Sequence, residues 1–435
     1  MERLFALRSA LWGGGTIALL LGTGVYLTFR TRLLPLRNLG FALRSALSPA
    51  ARRAEDGGVS PFSALMTALS ATIGTGNIVG VAAAMVTGGP GALVWMELSS
   101  LPALATKFSE CLLSVKYRRK NDAGQWVGGP MYVMQRKFGR WGRFLSLLFS
   151  LSTLLVALSM GSMVQSNAIA EALDTSFRLS PGMVGLVTAA VVLCVSLGGI
   201  RSISRMAEIL VPVMAVGYLT ASLWVILCHL NALPGALVSM VRSAFSLQAA
   251  AGGMAGAAFR EGVARGVLTH EAGLGSAAIT AACSDDGDAL RQGYIGETAV
   301  AFDTFLLCSV TGLAICCSGA MSDPALTGAT LTIAAFETVF GELGGAILSI
   351  AIVLFAFSSI LGWAYQGETA YAFLFGRRHL FFYRFAFAAA AFCGAVVSLE
   401  TVFAVSDICN ALMCYPNLIT LLLLSGEVAR ETRKA

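Results

Sequence analysis

Charged residues are scarce in this chain. Only 12% of its 435 residues are Asp, Glu, Lys or Arg, whereas 56% are hydrophobic. An ordinary soluble domain carries about 25% charged residues, roughly twice this share. So few charges cannot cover a soluble protein of this size, which excludes a large soluble enzyme, a disordered protein and a nucleic-acid-binding protein. The composition predicts that most of the chain lies in lipid.

Metal-binding and disulfide patterns are also absent. The three histidines, His229, His270 and His379, lie far apart in the sequence, which argues against a histidine-based metal centre. The ten cysteines form no CxxC pair, and most of them fall within apolar runs. We therefore interpret them as small buried hydrophobic residues rather than as disulfides or metal ligands.

Long apolar runs are what the chain has instead. A helix needs about 20 apolar residues to cross the hydrocarbon core of a bilayer. This length predicts an all-α polytopic membrane protein with eleven spans: 12–29, 61–87, 91–115, 143–172, 182–199, 206–228, 239–281, 295–318, 344–371, 380–398 and 402–424. The first span is followed by Phe29-Arg30-Thr31-Arg32 with no small-residue cleavage site, so we expect it to be retained rather than removed as a signal peptide. The seventh span is too long for one straight crossing and is predicted to be interrupted or to extend past the membrane.

The basic residues predict the orientation. Of the 30 Lys and Arg residues, 25 lie in alternate connections, four lie on the opposite side, and Lys107 lies inside a span. Because positively charged connections stay in the cytoplasm, we expect the N-terminus outside and the C-terminus in the cytoplasm of a cell membrane. The net charge of +6 is explained by the same asymmetry.

Two glycine-rich interruptions divide the spans into repeats. Residues 1–60 form an extra N-terminal helix with a basic linker, and 425–435 form a cytoplasmic tail. The ten spans between them, core helices 1 to 10, form groups of five at 61–228 and 239–424. Each group opens on a helix with glycines near mid-depth, and five crossings invert the second group relative to the first. Paired inverted repeats of this kind indicate a secondary transporter with its site between the two breaks.

The first break, Gly74-Thr75-Gly76-Asn77, carries the strongest chemical signal. Carbonyls freed by an unwound turn can coordinate a hard cation such as Na⁺, and the N–H groups of the next half-helix can bind a carboxylate. The alternative is close helix packing through small residues. The second break, Ala251-Gly252-Gly253, is weaker by itself and gains weight from its matching position.

Several polar side chains lie within other spans. Ser358 or Ser359 can supply oxygen to a cation, or merely bond to its own helix, and Trp363 is placed as a wall that limits substrate size. Gln165 and Asn167 on core helix 3 contact other helices or the substrate. Two ionisable groups at membrane depth are functional candidates: Asp303 and Asp407. Five residues nearer the span ends suit ion pairs or gate contacts: Glu97, Lys107, Glu110, Glu271 and Glu368.

These motifs, in this order, resemble the alanine/glycine:cation symporter family, the sodium:alanine symporters. In the first half the matching stretches are Gly74 to Val81, Gly88 to Ala92, Ala105 to Glu110, Val115 to Arg118, Gly128 to Tyr132, Val164 to Asn167 and Gly198 to Ile200. In the second half they are Arg265 to Val267, Glu271 to Ala277, Phe355 to Trp363 and Pro416 to Leu418. Together they cover roughly residues 60–425.

The resemblance implies a LeuT-type fold and a carrier, not an enzyme, that imports small neutral amino acids, chiefly alanine and glycine, with Na⁺ or H⁺. By matching motif it implies substrate contacts at Thr75, Gly76, Gln165, Gly252, Gly253, Ser359 and Trp363. It implies a Na⁺ site formed by the carbonyls of Ser70 and Ile73 with Ser358 and Ser359. Asn77 is implied in a second cation site.

Two positions depart from the family pattern. His270 stands before Glu-Ala-Gly where asparagine is expected, so the cytoplasmic gate departs from the family pattern at this position. Ser359 replaces the more usual threonine and keeps the hydroxyl.

Competing functions remain at this point. Within transporters, the alternatives are coupling to protons through Asp303 or Asp407 and another neutral substrate such as serine or glutamine. A channel requires a continuous polar lining, whereas only isolated polar residues lie at the two breaks. A membrane enzyme is disfavoured because the sequence lacks the second histidine of a zinc-protease helix and shows no evident Ser–His pair. We expect lipid and an amino acid as partners, with no nucleic acid and no obligatory protein partner.

Overall fold

The computed structural model describes residues 6–7, 10–12, 14–54, 58–245 and 254–433, and nearly all of them are helical. In the first half the helices are α1 (Gly14–Arg30), α2 (Leu34–Arg37), α3 (Leu39–Leu47), α4 (Pro61–Thr72), α5 (Val79–Gly88), α6 (Gly91–Lys116), α7 (Pro130–Lys137), α8 (Gly139–Val156), α9 (Gln165–Phe177), α10 (Pro181–Leu197) and α11 (Gly199–Cys228). In the second half they are α12 (Leu233–Phe245), α13 (Met254–His270), α14 (Ser276–Ala281), α15 (Ala289–Val300), α16 (Ser309–Ser318), α17 (Gly328–Phe340), α18 (Leu343–Phe375), α19 (Leu380–Val396) and α20 (Glu400–Glu431).

Shorter elements join or interrupt these helices. Two π-helical segments, Ala157–Val164 and Ala301–Cys308, connect α8 to α9 and α15 to α16 without a break in the rod. Single 3₁₀ turns lie at Pro49–Arg52, Thr75–Asn77, Leu230–Ala232, Ala320–Ser322 and Arg377–His379. A small antiparallel hairpin pairs β1 (Arg119–Lys120) with β2 (Trp126–Val127).

The all-α polytopic prediction is confirmed. Each of the eleven predicted spans contains helix, and six helical rods among the described residues are individually long and apolar enough to cross a membrane. The long seventh span does not continue as one rod. It begins within α12, and α13 ends at His270, eleven residues before the predicted end at 281. Residues 246–253, which include the predicted second break, lie outside the described residues.

Core helices 1 and 2 meet at a sharp corner. The axes of α5 and α6 differ by 117°, and the chain turns at Gly89, whose φ of +72° favours glycine. At Gly91 a methyl group would lie 2.7 Å from the Ala244 Cα of α12. Small residues therefore allow α12 to pass directly over this corner.

Helix α6 lies at the centre of the bundle. Helices α13 and α15 pack on it through glycines at Gly262, Gly266, Gly293 and Gly296. A methyl group at Gly266 would lie 2.8 Å from the Ser99 Oγ, so the two backbones approach closely only without side chains. Small-residue packing of this kind is how helices associate in lipid, where apolar surface alone gives no driving force between them.

Helix α17 was not predicted from the sequence. It lies in the connection between the spans 295–318 and 344–371 and packs on α5 and α18. Its 13 residues are too few for a crossing, so the span-length criterion does not register it. It packs on α5, the second half of core helix 1.

Candidate substrate and cation site at the broken helix

The backbone unwinds at Ile73 and Gly74. Helix α4 ends at Thr72, Ile73 has a ψ of 90°, and Gly74 is fully extended with φ −131° and ψ −160°. One 3₁₀ turn, Thr75–Asn77, then leads into α5. Because the helix stops, carbonyls in the last turn of α4 lose their intrahelical donors, and N–H groups at the start of the next half-helix point into the gap.

Hydroxyl groups of α18 face the freed carbonyls. The Ser358 Oγ lies 3.3 Å from the carbonyl oxygen of Ile73 and 3.4 Å from that of Ser70. It also lies 2.9 Å from the carbonyl of Phe355 in its own helix. Three carbonyl oxygens thus lie within 3.4 Å of one buried hydroxyl group, and oxygen atoms are the ligands that a hard cation prefers.

The second hydroxyl is turned towards the break itself. The Ser359 hydroxyl donates to the carbonyl of Ala71 at 3.0 Å rather than joining Ser358. A methyl group at Gly74 would lie 3.2 Å from the Ser359 Oγ and 3.6 Å from the Gln165 Oε1. Ser359 therefore borders the space beside the unwound turn. Its contact with the substrate in this space stays a prediction.

Gln165 closes the other side of this space. The Thr75 hydroxyl donates to the Gln165 Oε1 at 3.3 Å, so core helices 1 and 3 meet at the break. Gln165 follows directly on the π-helical segment Ala157–Val164, and such segments often occur at functional sites because they rotate the following side chains. The sequence missed one neighbour: the Thr269 methyl of α13 would lie 3.2 Å from a methyl at Gly76.

Asn77 and Asp303 form one buried polar pair. The Asn77 side-chain amide donates to the Asp303 Oδ1 at 2.7 Å and to its backbone carbonyl at 3.1 Å. The Asn77 Oδ1 accepts from the Gly74 N–H at 3.2 Å. The two side chains were predicted as separate candidates, and the second π-helical segment, Ala301–Cys308, brings Asp303 to the break.

Trp363 is enclosed rather than open. A side chain at Gly161 of core helix 3 would overlap the Trp363 ring, so this glycine makes room for the indole. Trp363 also hydrogen-bonds to the carboxylate of Glu271 on the turn that follows α13. Trp363 lies one turn after Ser359 on α18 and contacts both core helix 3 and the turn that follows α13.

The turn at Glu271–Gly275 is held by contacts with α6 and α20. Glu271 has a φ of +53°, uncommon for a residue with a side chain. The Glu110 Oε1 accepts from the Gly273 N–H at 2.8 Å and from the Asn417 side-chain amide at 2.6 Å. Lys107 is buried nearby, and its ammonium nitrogen has no hydrogen-bond partner in the described part of the chain. Ion pairs or gate contacts were predicted for Lys107, Glu110 and Glu271, and their role as a gate stays a prediction.

Not every predicted residue meets at this site. Gly252 and Gly253 lie outside the described residues, so their placement stays a prediction. Asn167 donates to the Gly394 carbonyl at 3.2 Å, which is a contact between helices. Asp407 is half-buried on α20, and its carbonyl accepts from the Trp12 indole at 2.6 Å.

The family follows from comparison with known proteins. The model of the family described as "Sodium:alanine symporter family" matches residues 2–434. The chain belongs to the sodium:alanine symporter family. Members are transporters, so the chain is a membrane transporter and not an enzyme.

Two curated relatives show the range of the family. The sodium/alanine symporter AgcS of Methanococcus maripaludis is 41% identical over 430 residues, which is 98% of this chain and 95% of that protein. A protein of Bacillus subtilis named "Probable sodium/glutamine symporter GlnT" is 36% identical, covering 96% of this chain and 87% of its own length.

Solved structures agree on the architecture. The crystal structure of MhsT in complex with L-phenylalanine matches with a TM-score of 0.61 at 12% identity, covering 86% of this chain and 90% of that one. At this identity the likeness concerns the fold alone, and it confirms the predicted LeuT-type architecture.

Proposed function

We propose that this member of the family imports a small neutral amino acid, alanine in the first place, together with Na⁺. The observation that carries the proposal is the position of the Ser358 hydroxyl between the freed carbonyls of Ser70 and Ile73. A cation bound there would join α18 to core helix 1. The sodium/alanine symporter AgcS, which shares 41% of its residues with this chain, supports the same ion and substrate.

The substrate lies beside the cation in this proposal. Its carboxylate is held by the N–H groups of Thr75 and Gly76, since the Asn77 N–H donates to the Gly74 carbonyl, and the positive end of the α5 dipole adds to the attraction. Thr75, Gly76, Gln165 and Ser359 surround the amino acid, and Trp363 closes the base. Gly252 and Gly253 are also predicted to contact the amino acid, and backbone carbonyls in this stretch would bind its ammonium group.

A small side chain suits this space. The oxygen atoms of Ser359 and Gln165 lie within 3.6 Å of a methyl group placed on Gly74, so little room remains beside the turn. Alanine and glycine fit such a space better than glutamine. The similarity to GlnT keeps glutamine as a substrate to be tested.

Transport follows from relative motion of two groups of helices, each of which contains helices of both repeats. Na⁺ binding orders the unwound turn, the amino acid binds to the ordered turn, and core helices 1, 2, 6 and 7 then rock against 3, 4, 8 and 9. The proposed repeats are 61–228 and 239–424. The proposed orientation has the N-terminus outside, and import requires the occupied site to open to the cytoplasm.

Proton coupling is the second candidate, and Asp303 is the observation that favours it. Its carboxylate is buried against Asn77, one turn from the substrate space, where it can hold either a second cation or a proton. The two functions share the site and differ in the ion.

Uptake into proteoliposomes separates the candidates. Labelled alanine is offered with an inward Na⁺ gradient, or with an inward proton gradient, at equal K⁺. Saturable accumulation with Na⁺ alone supports the proposal. Accumulation with a proton gradient alone supports proton coupling through Asp303. No accumulation with either ion contradicts alanine as the substrate, and glycine, serine and glutamine are then tested.

A further inference from the structure

A basic cavity lies away from the substrate site. It has a volume of about 520 Å³ and is formed by the β1–β2 hairpin, the junction of α10 and α11, the end of α18 and the start of α19. Six charged residues line it: Arg119, Lys120, Arg377, Arg384, Asp122 and Glu368. Four basic and two acidic residues leave a net charge of +2.

The cations in the cavity are not neutralised equally. Arg384 forms two hydrogen bonds of 2.8 Å with the Glu368 carboxylate, so this pair cancels. Arg377 donates to the neutral Gln125 Oε1 at 2.9 Å, and Arg119 lies 4.9 Å from the centre of an aromatic ring. Neither Arg119 nor Arg377 forms a salt bridge within the described ranges. Two guanidinium groups thus remain available to an anion in a preformed space.

The backbone adds to this positive potential. The first residues of α11, Gly199 and Ile200, line the cavity, and no side chain caps the start of this 30-residue helix. The N-terminus of a helix carries a partial positive charge and unpaired N–H groups. Guanidinium groups, whose planar fork of N–H donors can bind two oxygens of one phosphate, line the same cavity.

The surroundings of the cavity are apolar and exposed. Phe381, Phe382 and Phe385 at the start of α19 are each about 60% exposed, and Phe375 at the end of α18 is 56% exposed. In the orientation proposed above, these rings lie in the cytoplasmic leaflet beside the mouth of the cavity. An anion that reaches the cavity from the bilayer can place acyl chains against the rings.

We propose that this cavity binds the phosphate group of an anionic phospholipid. Basic pockets between helices on the cytoplasmic side suit such head groups, and the phosphate is held by Arg119, Arg377 and the start of α11. The bound head group joins the hairpin to α18 and α11 and so stabilises the cytoplasmic side of the transporter. Only the assignment to the cytoplasmic leaflet rests on the proposed orientation.

Thermal unfolding of the purified full-length chain in neutral detergent tests the proposal. Phosphatidylglycerol, phosphatidylcholine or millimolar inorganic phosphate is added to the wild type, to the double variant Arg119→Gln/Arg377→Gln and to Arg378→Gln. Arg378 is the matched control because it is adjacent, basic and exposed but does not line the cavity. Arg377→Lys keeps the charge and guards against a variant that simply misfolds.

Phosphatidylglycerol is expected to raise the unfolding midpoint of the wild type, Arg378→Gln and Arg377→Lys by about 3 °C more than phosphatidylcholine does. At least half of this shift is expected to disappear in the double variant. Equal shifts in all four proteins, or none in the wild type, overturn the proposal. Protection by inorganic phosphate equal to that by phosphatidylglycerol overturns the assignment to a lipid. Because no transport is measured, failure here is distinguishable from failure of the proposed symport.

Discussion

At the residue scale, the proposed cation site depends on one hydroxyl group. Ser358 is the only side chain in the described residues that bonds to the freed carbonyls of both Ser70 and Ile73. Ser358→Ala removes one ligand and leaves both carbonyls in place. We expect the Na⁺ concentration for half-maximal alanine uptake to rise about 10-fold, the equivalent of about 1.4 kcal/mol.

Ser349→Ala is the matched control for this substitution. Ser349 lies on the same helix, is buried, and shares a hydrogen bond of 2.6 Å with Ser176 away from the break. It therefore reports what the loss of a buried hydroxyl does to α18 in general. Identical Na⁺ dependence in the two variants would show that Ser358 plays only a packing role.

Gly74 borders the proposed substrate space. Its φ of −131° is extended backbone that any residue can adopt, so Gly74→Ala causes no backbone strain. The added methyl instead enters the space 3.2 Å from the Ser359 Oγ. One methyl group in a tight pocket changes affinity by about 10- to 200-fold, and we expect alanine to lose more than glycine.

The control for Gly74→Ala is Gly80→Ala. Gly80 is a buried glycine of α5, two turns further on, and a methyl group there would meet no atom within 4 Å. The KM for alanine and for glycine is measured for both variants. Equal values for Gly74→Ala and the wild type would contradict the placement of the substrate beside the turn.

At the element scale, function depends on how closely α18 approaches core helix 1. A methyl group at Gly362 would lie 2.5 Å from the Ala71 backbone nitrogen, so Gly362→Ala must separate the two helices. We expect about 1–3 kcal/mol of destabilisation, as for other overpacked sites, and a loss of Na⁺-dependent uptake. Gly345→Ala on the same helix has 3.5 Å of clearance and should behave as the wild type in unfolding and uptake assays. Normal Na⁺ dependence in Gly362→Ala would argue against a site between these helices.

The elements also differ in how far the sequence could predict them. The break at Gly74 was predictable because two glycines and polar side chains in an apolar run have few other uses in lipid. The meeting of Asn77 with Asp303, 226 residues apart, was not, because it depends on where a π-helical segment directs the side chain. Local pattern identifies residue types at membrane depth, whereas their pairing is a tertiary property.

Two further features were out of reach for the same reason. Helix α17 has no span-length signature, and the turn at Glu271 is fixed by Glu110 and Asn417 from distant helices. Gly362 and Gly161 showed no pattern beyond small-residue content. Each is constrained by a neighbour from a distant part of the chain: Gly362 by the Ala71 backbone and Gly161 by the Trp363 side chain.

At the scale of the whole molecule, an ionic cluster ties the end of the chain to the bundle. Lys116 and Lys137 contact the Glu427 carboxylate at 2.6 and 3.0 Å, and the Tyr117 hydroxyl donates to it as well. Glu427 lies beyond the predicted span 402–424. Partial burial raises the pKa of Glu427, but the hydrogen bonds from Lys116, Tyr117 and Lys137 outweigh it and lower the pKa to about 2.

This pKa predicts a pH dependence of stability. A carboxylate whose pKa is lowered by folding stabilises the folded state above its unfolded pKa of about 4.3, and the contribution is lost as the pH falls towards 2. Glu427→Gln is therefore expected to unfold at a lower temperature than the wild type at pH 7, and the difference should shrink between about pH 4.5 and 2. A difference that does not change with pH would mean that the charge of Glu427 contributes nothing.

The central claim is that one broken helix holds the ion and the amino acid together, and equilibrium binding tests it most directly. Labelled alanine is bound to the purified protein over a series of Na⁺ concentrations, and Na⁺ binding is then measured over a series of alanine concentrations. Linkage requires that each ligand raise the affinity of the other by the same factor, which we expect to be about 10-fold or more. An alanine affinity that is the same in Na⁺ and in choline would contradict the account.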